Sequence, residues 1–193
     1  NIARILDYLN IKWEFEKDSF KLESEHFTGF YFPDFFLPDK IILEVKGFWN
    51  SDSRQKAMLF SEQYPDYKLM LIDTDIYFDL DRKYKKLLPE WEIVDVKKVE
   101  NTIQVVGINQ PSRKSIVTSI NVGESLLLVR DNQNQYDKNA IMVTTMANQQ
   151  VGFVSKDWAC ILAPKMDLGI EYSTHIKEKR QNVIDLCIRR SNP

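Results

Sequence analysis

Near residue 99 the chain changes rhythm, and that change most limits what it can fold into. Before it, apolar residues alternate between helical and strand spacing; after it, short strands follow one another with Gly, Asn and Asp turns between them. At 193 residues the chain is long for one compact domain and comfortable for two of about 100 each. With 44% hydrophobic and 28% charged residues, and no apolar run near the ~20 residues of a membrane helix, disordered and membrane-spanning classes are excluded. We therefore expect domains over 1–98 and 99–193, with WEIVDVKKVE alternating like a strand across the boundary.

In the first half, NIARILDYLN places Ile2, Ile5, Leu6 and Leu9 on one helical face with Asn10 as its C-cap. The chain opens at Asn1 within that helical pattern, so a natural start ahead of it is expected. IKWEFEKD and HFTGFYFPDFFL read as strands, and IILEVKG as a central strand covered on both faces. A helix follows over SDSRQKAMLFSEQY, capped at Ser51 or Asp52, with a stripe of Ala57, Met58, Phe60 and Tyr64. KLMLID is another strand, and DRKYKKLLPEW a helix stopped by Pro89. The sum is a small α/β layer structure. In the second half, NTIQVVGI, ESLLLVRD, AIMVTTM, QVGFV and NVIDLCIRR read as strands of a small barrel, interrupted by one short helix over KDWACILAPKMDLG.

Charge is nearly balanced, 26 basic against 28 acidic residues, but unevenly spread: net −4 over residues 1–98 and net +2 over 99–193. Nonspecific affinity for a polyanion should be modest. Two cysteines and two histidines leave no zinc framework or disulfide scaffold, and no signal peptide is visible, so a reducing, cytoplasmic setting is expected. Cys160 and Cys187 read as core residues, His26 as a structural residue of the hairpin, and His175 as part of a polar loop.

The chemistry concentrates where an apolar strand carries charge. Glu44 and Lys46 are two apart, so they project from the same face of the IILEVK strand while Val45 points the other way. Desolvating each charge costs several kcal/mol unless it is paired or bound to metal. If Asp34, which follows Pro33, lies on the adjacent strand, two carboxylates face one point, an arrangement that captures a hard cation such as Mg²⁺ or Mn²⁺. Lys46 could then orient a nucleophile or neutralise developing charge. The plain alternative is a buried ion pair without chemistry. Arg54 and Lys56 near a helix start are candidate phosphate contacts or simply a solvated face. The same two readings hold for the run Arg82-Lys83-Tyr84-Lys85-Lys86.

The stretch GFYFPDFFLPDKIILEVKGFWNSDSRQKAMLFSEQYPDYKLMLI resembles the PD-(D/E)xK nuclease superfamily, and most closely its phage junction-resolving endonuclease I branch. The likeness covers roughly residues 1–95, taking in Gly47-Phe48-Trp49, Asp52, Arg54, Lys56 and the EQYPD turn. It implies a restriction-endonuclease-like α/β fold, Asp34 and Glu44 as metal ligands, the Val45 carbonyl completing the site, and Lys46 as the catalytic lysine. The family's further glutamate, from its first helix, aligns just before Asn1. Glu14 and Glu16 sit in the wrong place to replace it.

In the second half, Asn132 to Asn139 form a polar loop between apolar strands. Its lone aromatic could stack on a base, and its amides and Asp137 could bond sugar or base edges. Such a loop is also what an ordinary turn looks like. The order N-x-Y-D-x-N-A followed by V-G-aromatic-V-x-K resembles the HIRAN domain, an OB-like barrel that captures single-stranded 3′ ends. The resemblance assigns base stacking to Tyr136 and the 3′-hydroxyl contact to Asp137, with Asn134 beside them and Lys156 near a phosphate. Asn109 and Gln110 stand where end-binding members carry a basic residue and a second aromatic, and Phe153 where they can have histidine.

Together these readings predict a Mg²⁺- or Mn²⁺-dependent DNA endonuclease directed to single-stranded 3′ ends, flaps or junctions by its second domain. Two alternatives remain open: a non-cleaving DNA-structure binder that recruits a partner, and a barrel that binds protein.

Overall fold

The computed structural model describes residues 1–94 and 101–191. The chain forms two compact units, Asn1–Val99 and Glu100–Pro193. The boundary expected after residue 98 falls outside the described residues, as does most of the strand expected over WEIVDVKKVE; its first four residues, 91–94, carry no strand.

The first unit is built on a four-stranded sheet. Its strands, in spatial order, are β1 (Glu14–Phe15), β4 (Phe35–Leu37), β5 (Ile41–Lys46) and β6 (Lys68–Asp73), antiparallel except for the β5–β6 pair. β2 (Phe20–Ser24) and β3 (Phe27–Tyr31) form a separate hairpin. The strand expected over HFTGFYFPDFFL is thus two strands in two sheets, divided at Pro33, which has no N–H to extend a ladder. Expected strand IKWEFEKD shrinks to two residues at the sheet edge, and β2 carries too few apolar residues to stand out in sequence.

Helix α1 (Ile2–Tyr8) ends at Leu9, and Asn10 takes the left-handed conformation beyond it (φ 54°). Helix α2 (Ser51–Gln63) is capped one residue earlier than expected, by Asn50, whose side chain accepts the Ser53 amide at 2.8 Å. The last helix is displaced from its expected place. Asp73 caps α3 (Thr74–Tyr84) by accepting the Ile76 amide at 3.2 Å, so the helix starts directly from β6 and ends well before Pro89.

Pleating sends alternate residues of β5 to opposite faces. Leu43 and Val45 pack with Ile2, Ile5 and Leu6 of α1 and with Ile72 and Tyr84, whereas Ile42 packs with Phe20, Leu22, Tyr31 and Phe60 from the hairpin and α2. Glu44 and Lys46 follow the parity of Ile42 and therefore face the hairpin and α2. In α2 the buried stripe includes Leu59 beside Ala57 and Phe60, while Met58 is only partly covered.

The second unit closes into a six-stranded barrel, in spatial order β10 (Gln150–Val154), β7 (Asn101–Val106), β12 (Ile184–Arg190), β11 (Tyr172–Lys179), β8 (Ser125–Arg130) and β9 (Ile141–Thr144), antiparallel throughout. Ile103, Val105, Ile141, Val143, Ile176 and Leu186 fill it. β11 is missing from the sequence reading because only Thr174 and Ile176 turn inward from a charged stretch; it also carries exposed His175, expected in a loop. The single helix expected, α5 (Lys156–Asp167), is preceded in the chain by another: a 3₁₀ turn at Pro111–Arg113 runs into α4 (Lys114–Ser119). None of the described helices is long and apolar enough to cross a membrane. Both cysteines are buried, as expected, and neither forms a disulfide.

Candidate active site and nucleic-acid interface

Glu44 is 2% exposed at the centre of β5. The Lys46 ammonium lies 2.7 Å from its Oε1, and the Tyr31 hydroxyl donates to Oε2 at 3.0 Å. Asp34 immediately precedes β4, and the pairing of Phe35 with Leu43 carries it alongside Glu44. Its Oδ2 accepts the Val45 amide at 2.6 Å, which fixes the carboxylate against the β5 backbone. Asp34, Glu44 and Lys46 thus come together: Glu44 and Lys46 share one strand face as their spacing predicted, and Asp34 meets them from the adjacent segment, held on the Val45 backbone. Tyr31 was not anticipated, although the period-two rule applied to Phe30-Tyr31-Phe32 turns one ring inward while its neighbours face out.

Burial raises the Glu44 carboxyl above the usual glutamate range; the attraction of Lys46 opposes this, the nearby negative charge of Asp34 adds to it, and the Tyr31 hydrogen bond opposes it weakly. Charge at Glu44 is therefore disfavoured in the fold relative to the unfolded chain. The folded state holds the proton more tightly, so the destabilisation is fully present above the raised pKa and disappears as pH falls to the ordinary value of about 4.3. Replacing Glu44 with Gln, which still accepts from Tyr31, should raise the melting temperature of the metal-free protein at pH 7. That advantage should shrink on acidification. Thermal melts in chelator across pH check it; a less stable Gln protein at pH 7 would mean that the Lys46 pairing outweighs burial.

The donor set fits a hard divalent cation. Two carboxylates that repel each other, one of them nearly dehydrated, gain most from a cation, and the Val45 carbonyl belongs to the same strand. No group of three or more His, Cys, Asp or Glu side chains gathers among the described residues, so waters and a phosphate would complete the coordination, as suits Mg²⁺. Lys46 lines two cavities. One, of about 340 Å³, also contains Glu44, Tyr31, Trp49 and Lys56. The other, of about 280 Å³, is shared with Asn1, Val45, Asp73 and Thr74. A larger cavity of about 920 Å³, around Trp13 and Phe36, contains none of the candidate residues.

Lys56 reaches the Glu44 cavity while paired with Asp52 at 3.1 Å. Arg54 instead donates to the Trp49 carbonyl at 3.1 Å, holding the segment ahead of α2. In the basic run of α3, Arg82 pairs with Asp79, and Lys85 with Asp81 at 2.9 Å, which is the pattern of a solvated helix face. His26 lies in the hairpin turn, exposed and away from both cavities; Glu14 pairs with Lys17 at 2.7 Å.

In the barrel, the 131–140 loop is braced from within. Asn134 bonds Asp131 through Nδ2 at 2.9 Å, and its Oδ1 accepts the amides of Tyr136 and Asp137 at 3.0 and 3.1 Å. Asp137 Oδ1 accepts the Asn139 amide at 2.8 Å, and Arg130 ties the loop carbonyl of Lys138 (3.1 Å) to the Asp167 carboxylate (2.8 Å). These bonds hold Tyr136 in solvent, 94% exposed. Asn134 is a turn-forming residue here, and Asp137 is one in part.

Asn109 is exposed and bonded to Asn182 at 2.7 Å; Gln110 is exposed at the residue just ahead of the 3₁₀ turn, where its side chain makes no cap hydrogen bond. Phe153 is half-buried beneath the Arg113 guanidinium, 5.3 Å from the ring centre. Arg113, four residues beyond Asn109, thus brings a cation to Phe153 in a segment where position 109 has none; the sequence reading overlooked it. Lys156 is exposed at the first turn of α5.

Comparison with known proteins supports both halves. The family model described as phage endonuclease I matches residues 1–120, and the HIRAN domain model matches residues 102–190. The endodeoxyribonuclease 1 of Enterobacteria phage T3 is 30% identical over 117 residues, 58% of this chain and 75% of the phage protein. Endonuclease I of Escherichia phage T7 is 36% identical over 73 residues, covering 37% of this chain and about half (48%) of that protein. The crystal structure of the HIRAN domain of human HLTF aligns with a TM-score of 0.41 at 27% identity, over 47% of this chain and 74% of that one. With residues 1–120 matched by the phage endonuclease I model and residues 102–190 by the HIRAN model, this chain belongs to the phage endonuclease I family, fused to a HIRAN domain.

Proposed function

We propose that the protein is a divalent-metal-dependent DNA endonuclease of restriction-endonuclease-like fold (residues 1–98) whose HIRAN domain (residues 99–193) directs it to single-stranded 3′ ends, flaps or junctions, in a cytoplasmic setting. The observation that carries this reading is the buried Glu44 carboxylate, set beside Asp34 and 2.7 Å from Lys46. Asp34 and Glu44, with the Val45 carbonyl, would hold Mg²⁺ or Mn²⁺. Bound there, the cation supplies Lewis-acid polarisation of the scissile phosphate and an acidified water. The chain's own residues prepare that chemistry. Tyr31 orients Glu44, Asp34 is anchored on the Val45 amide, and Lys46 offers a proton-bearing cation to the charge that builds on the phosphate. Lys56, and Arg54 less directly, favour the polyanion at the cavity rim.

In the HIRAN domain, Tyr136 offers an exposed ring on a braced loop, so little ordering is needed to stack a terminal base. Asp137 retains Oδ2 for a 3′-hydroxyl, and Lys156, Phe153, Asn109 and Gln110 supply the neighbouring contacts. Two weak DNA contacts on one chain raise each other's effective concentration, giving selectivity that neither has alone. A second reading, a non-cleaving DNA-structure binder that recruits a partner, draws on the gathering of only two carboxylates rather than three among the described residues.

The test uses end-labelled single strands, duplexes, flaps and junctions, with free or blocked 3′ ends, incubated with Mn²⁺. Cleavage that depends on metal and is stimulated by free 3′ ends is expected. Tyr136→Ala should weaken binding to free ends by about tenfold while leaving blocked-end substrates unchanged. Mn²⁺ should also raise the wild-type melting temperature but not that of Glu44→Gln. Failure to cleave any substrate, with end binding intact, would select the second reading.

A further inference from the structure

Three phenylalanines stand around the cavity that holds Glu44 and Lys46, beyond the groups that would hold a cation or meet the phosphate. Phe30 is 53% exposed, Phe32 62% and Phe48 59%. The strand period explains the first two: Tyr31 turns inward to Glu44, so the flanking rings face solvent, with centroids 6.3 Å apart and planes inclined by 43°. Phe48 lies two residues beyond Lys46, where β5 has ended and Asn50 has yet to cap α2. Isolated exposed apolar side chains are ordinary, but three rings converging on one cavity form a patch that marks a binding surface.

The occupant is indicated by what shares the cavity. Beside the rings are the Glu44–Lys46 pair, Lys56, and Trp49, whose buried indole N–H has no hydrogen-bond partner among the described residues. At about 340 Å³ the space is near the small end of ligand clefts, suited to a single nucleoside rather than a stacked duplex. A ligand that brings an anion to Lys46 and Lys56 and a flat apolar face to the phenyl rings is a nucleotide whose base has left its stack. Bases within continuous duplex are already stacked, and freeing one has a cost that flaps, gaps and branch points do not impose.

We infer that Phe30, Phe32 and Phe48 form a stacking clamp for an unpaired nucleobase next to the phosphate at Glu44 and Lys46, so that the site itself selects DNA unstacked at the point of cleavage. This rests on the reading of Glu44 and Lys46 as the cleavage site, and it assigns substrate choice to the nuclease unit as well as to the HIRAN loop. Any base serves equally, since stacking on phenyl rings is tolerant of sequence.

The full chain carrying Tyr136→Ala, which silences the HIRAN aromatic, is titrated in Ca²⁺ with 3′-blocked flap DNA bearing 2-aminopurine beside the branch. Quenching of the fluorophore on the flap, and none on continuous duplex, is expected. Adding Phe32→Ala or Phe48→Ala should remove the quenching and weaken flap binding by about fivefold to a hundredfold. An abasic nucleotide at the same position should weaken the parent to the level of the variants. The three rings lie outside both hydrophobic clusters, so the variants should melt as the parent does. Quenching that survives both changes, or equal affinity for abasic and base-bearing flaps, overturns the clamp. Rings that matter only for capturing another protein overturn it equally. Parallel cleavage in Mn²⁺ separates the two readings: cleavage indifferent to the base removes the clamp alone, and base-dependent quenching without cleavage removes the nuclease alone.

Discussion

Asp34→Asn should leave the protein folded and reduce Mg²⁺- or Mn²⁺-supported DNA cleavage by at least about a hundredfold. Asparagine is the informative replacement because Asp34 does two jobs. Its Oδ2 accepts the Val45 amide at 2.6 Å, and its charge helps to form the cation site. An asparagine carbonyl can keep the first while the charge is lost. Alanine removes both, and losing a hydrogen bond to a charged group should also destabilise the unit by about 1.5–3 kcal/mol. Lys46→Met should match the loss of cleavage for another reason: the cation 2.7 Å from Glu44 disappears, and the apolar stem is retained. DNA binding should persist in all three. Single-turnover rates and electrophoretic mobility shifts on one junction substrate measure both quantities. Robust nicking by Asp34→Asn would falsify the assignment of the metal site.

The second large effect is structural and falls in the barrel. At Gly152 an added Cβ would lie 2.5 Å from the Val106 carbonyl oxygen and 2.8 Å from Val105 Cγ1, closer than real Cβ atoms come. These are atoms of β7, the strand β10 pairs with through Phe153–Val106 and Val154–Val105, and the β10–β9 ladder shifts register between Gln150 and Gly152. Backbone cannot yield as a flexible side chain can. Gly152→Ala must part β7 from β10 or lose the bonds between them, at a cost of about 1–3 kcal/mol or more. For a domain of this size that lowers the barrel's melting temperature by about 10 °C. Because Phe153 is the next residue, end binding should fall with it. Calorimetry and a 3′-end binding titration test both; an unchanged melt would show that the close approach is readily relieved.

The two motifs differed in how openly they could be read. Glu44 and Lys46 were conspicuous because a charged pair interrupts an apolar strand, and that misfit requires no partner to be noticed. Asp34 needed only the neighbouring strand, which β4 supplies. In the barrel, the V-G-aromatic step was recognisable as a pattern, yet its physical reason, the approach of β7 to Gly152, lies 46 residues away along the chain. By composition the loop holding Asn134 and Asp137 reads as readily as an ordinary turn, and it was the HIRAN resemblance that made them ligand contacts; much of their hydrogen-bonding capacity is spent on the loop itself. α3 was displaced because Asp73, the last residue of a strand, also serves as its cap. Arg113 was overlooked because its short helix has no apolar stripe.

The sequence by itself determined the two-part rhythm, the central strand with its charged face, the α2 segment and most of the barrel strands. Each follows from side-chain periods that repeat over a few residues. Tertiary structure alone decided that Tyr31 meets Glu44, that three exposed phenylalanines surround the same cavity, that Arg113 covers Phe153, and that six strands close in the order β10, β7, β12, β11, β8, β9. Local periodicity states which way a side chain points. Strand order and burial depend on segments far apart in the chain, and it is burial that turns an ordinary glutamate into one whose charge calls for a cation.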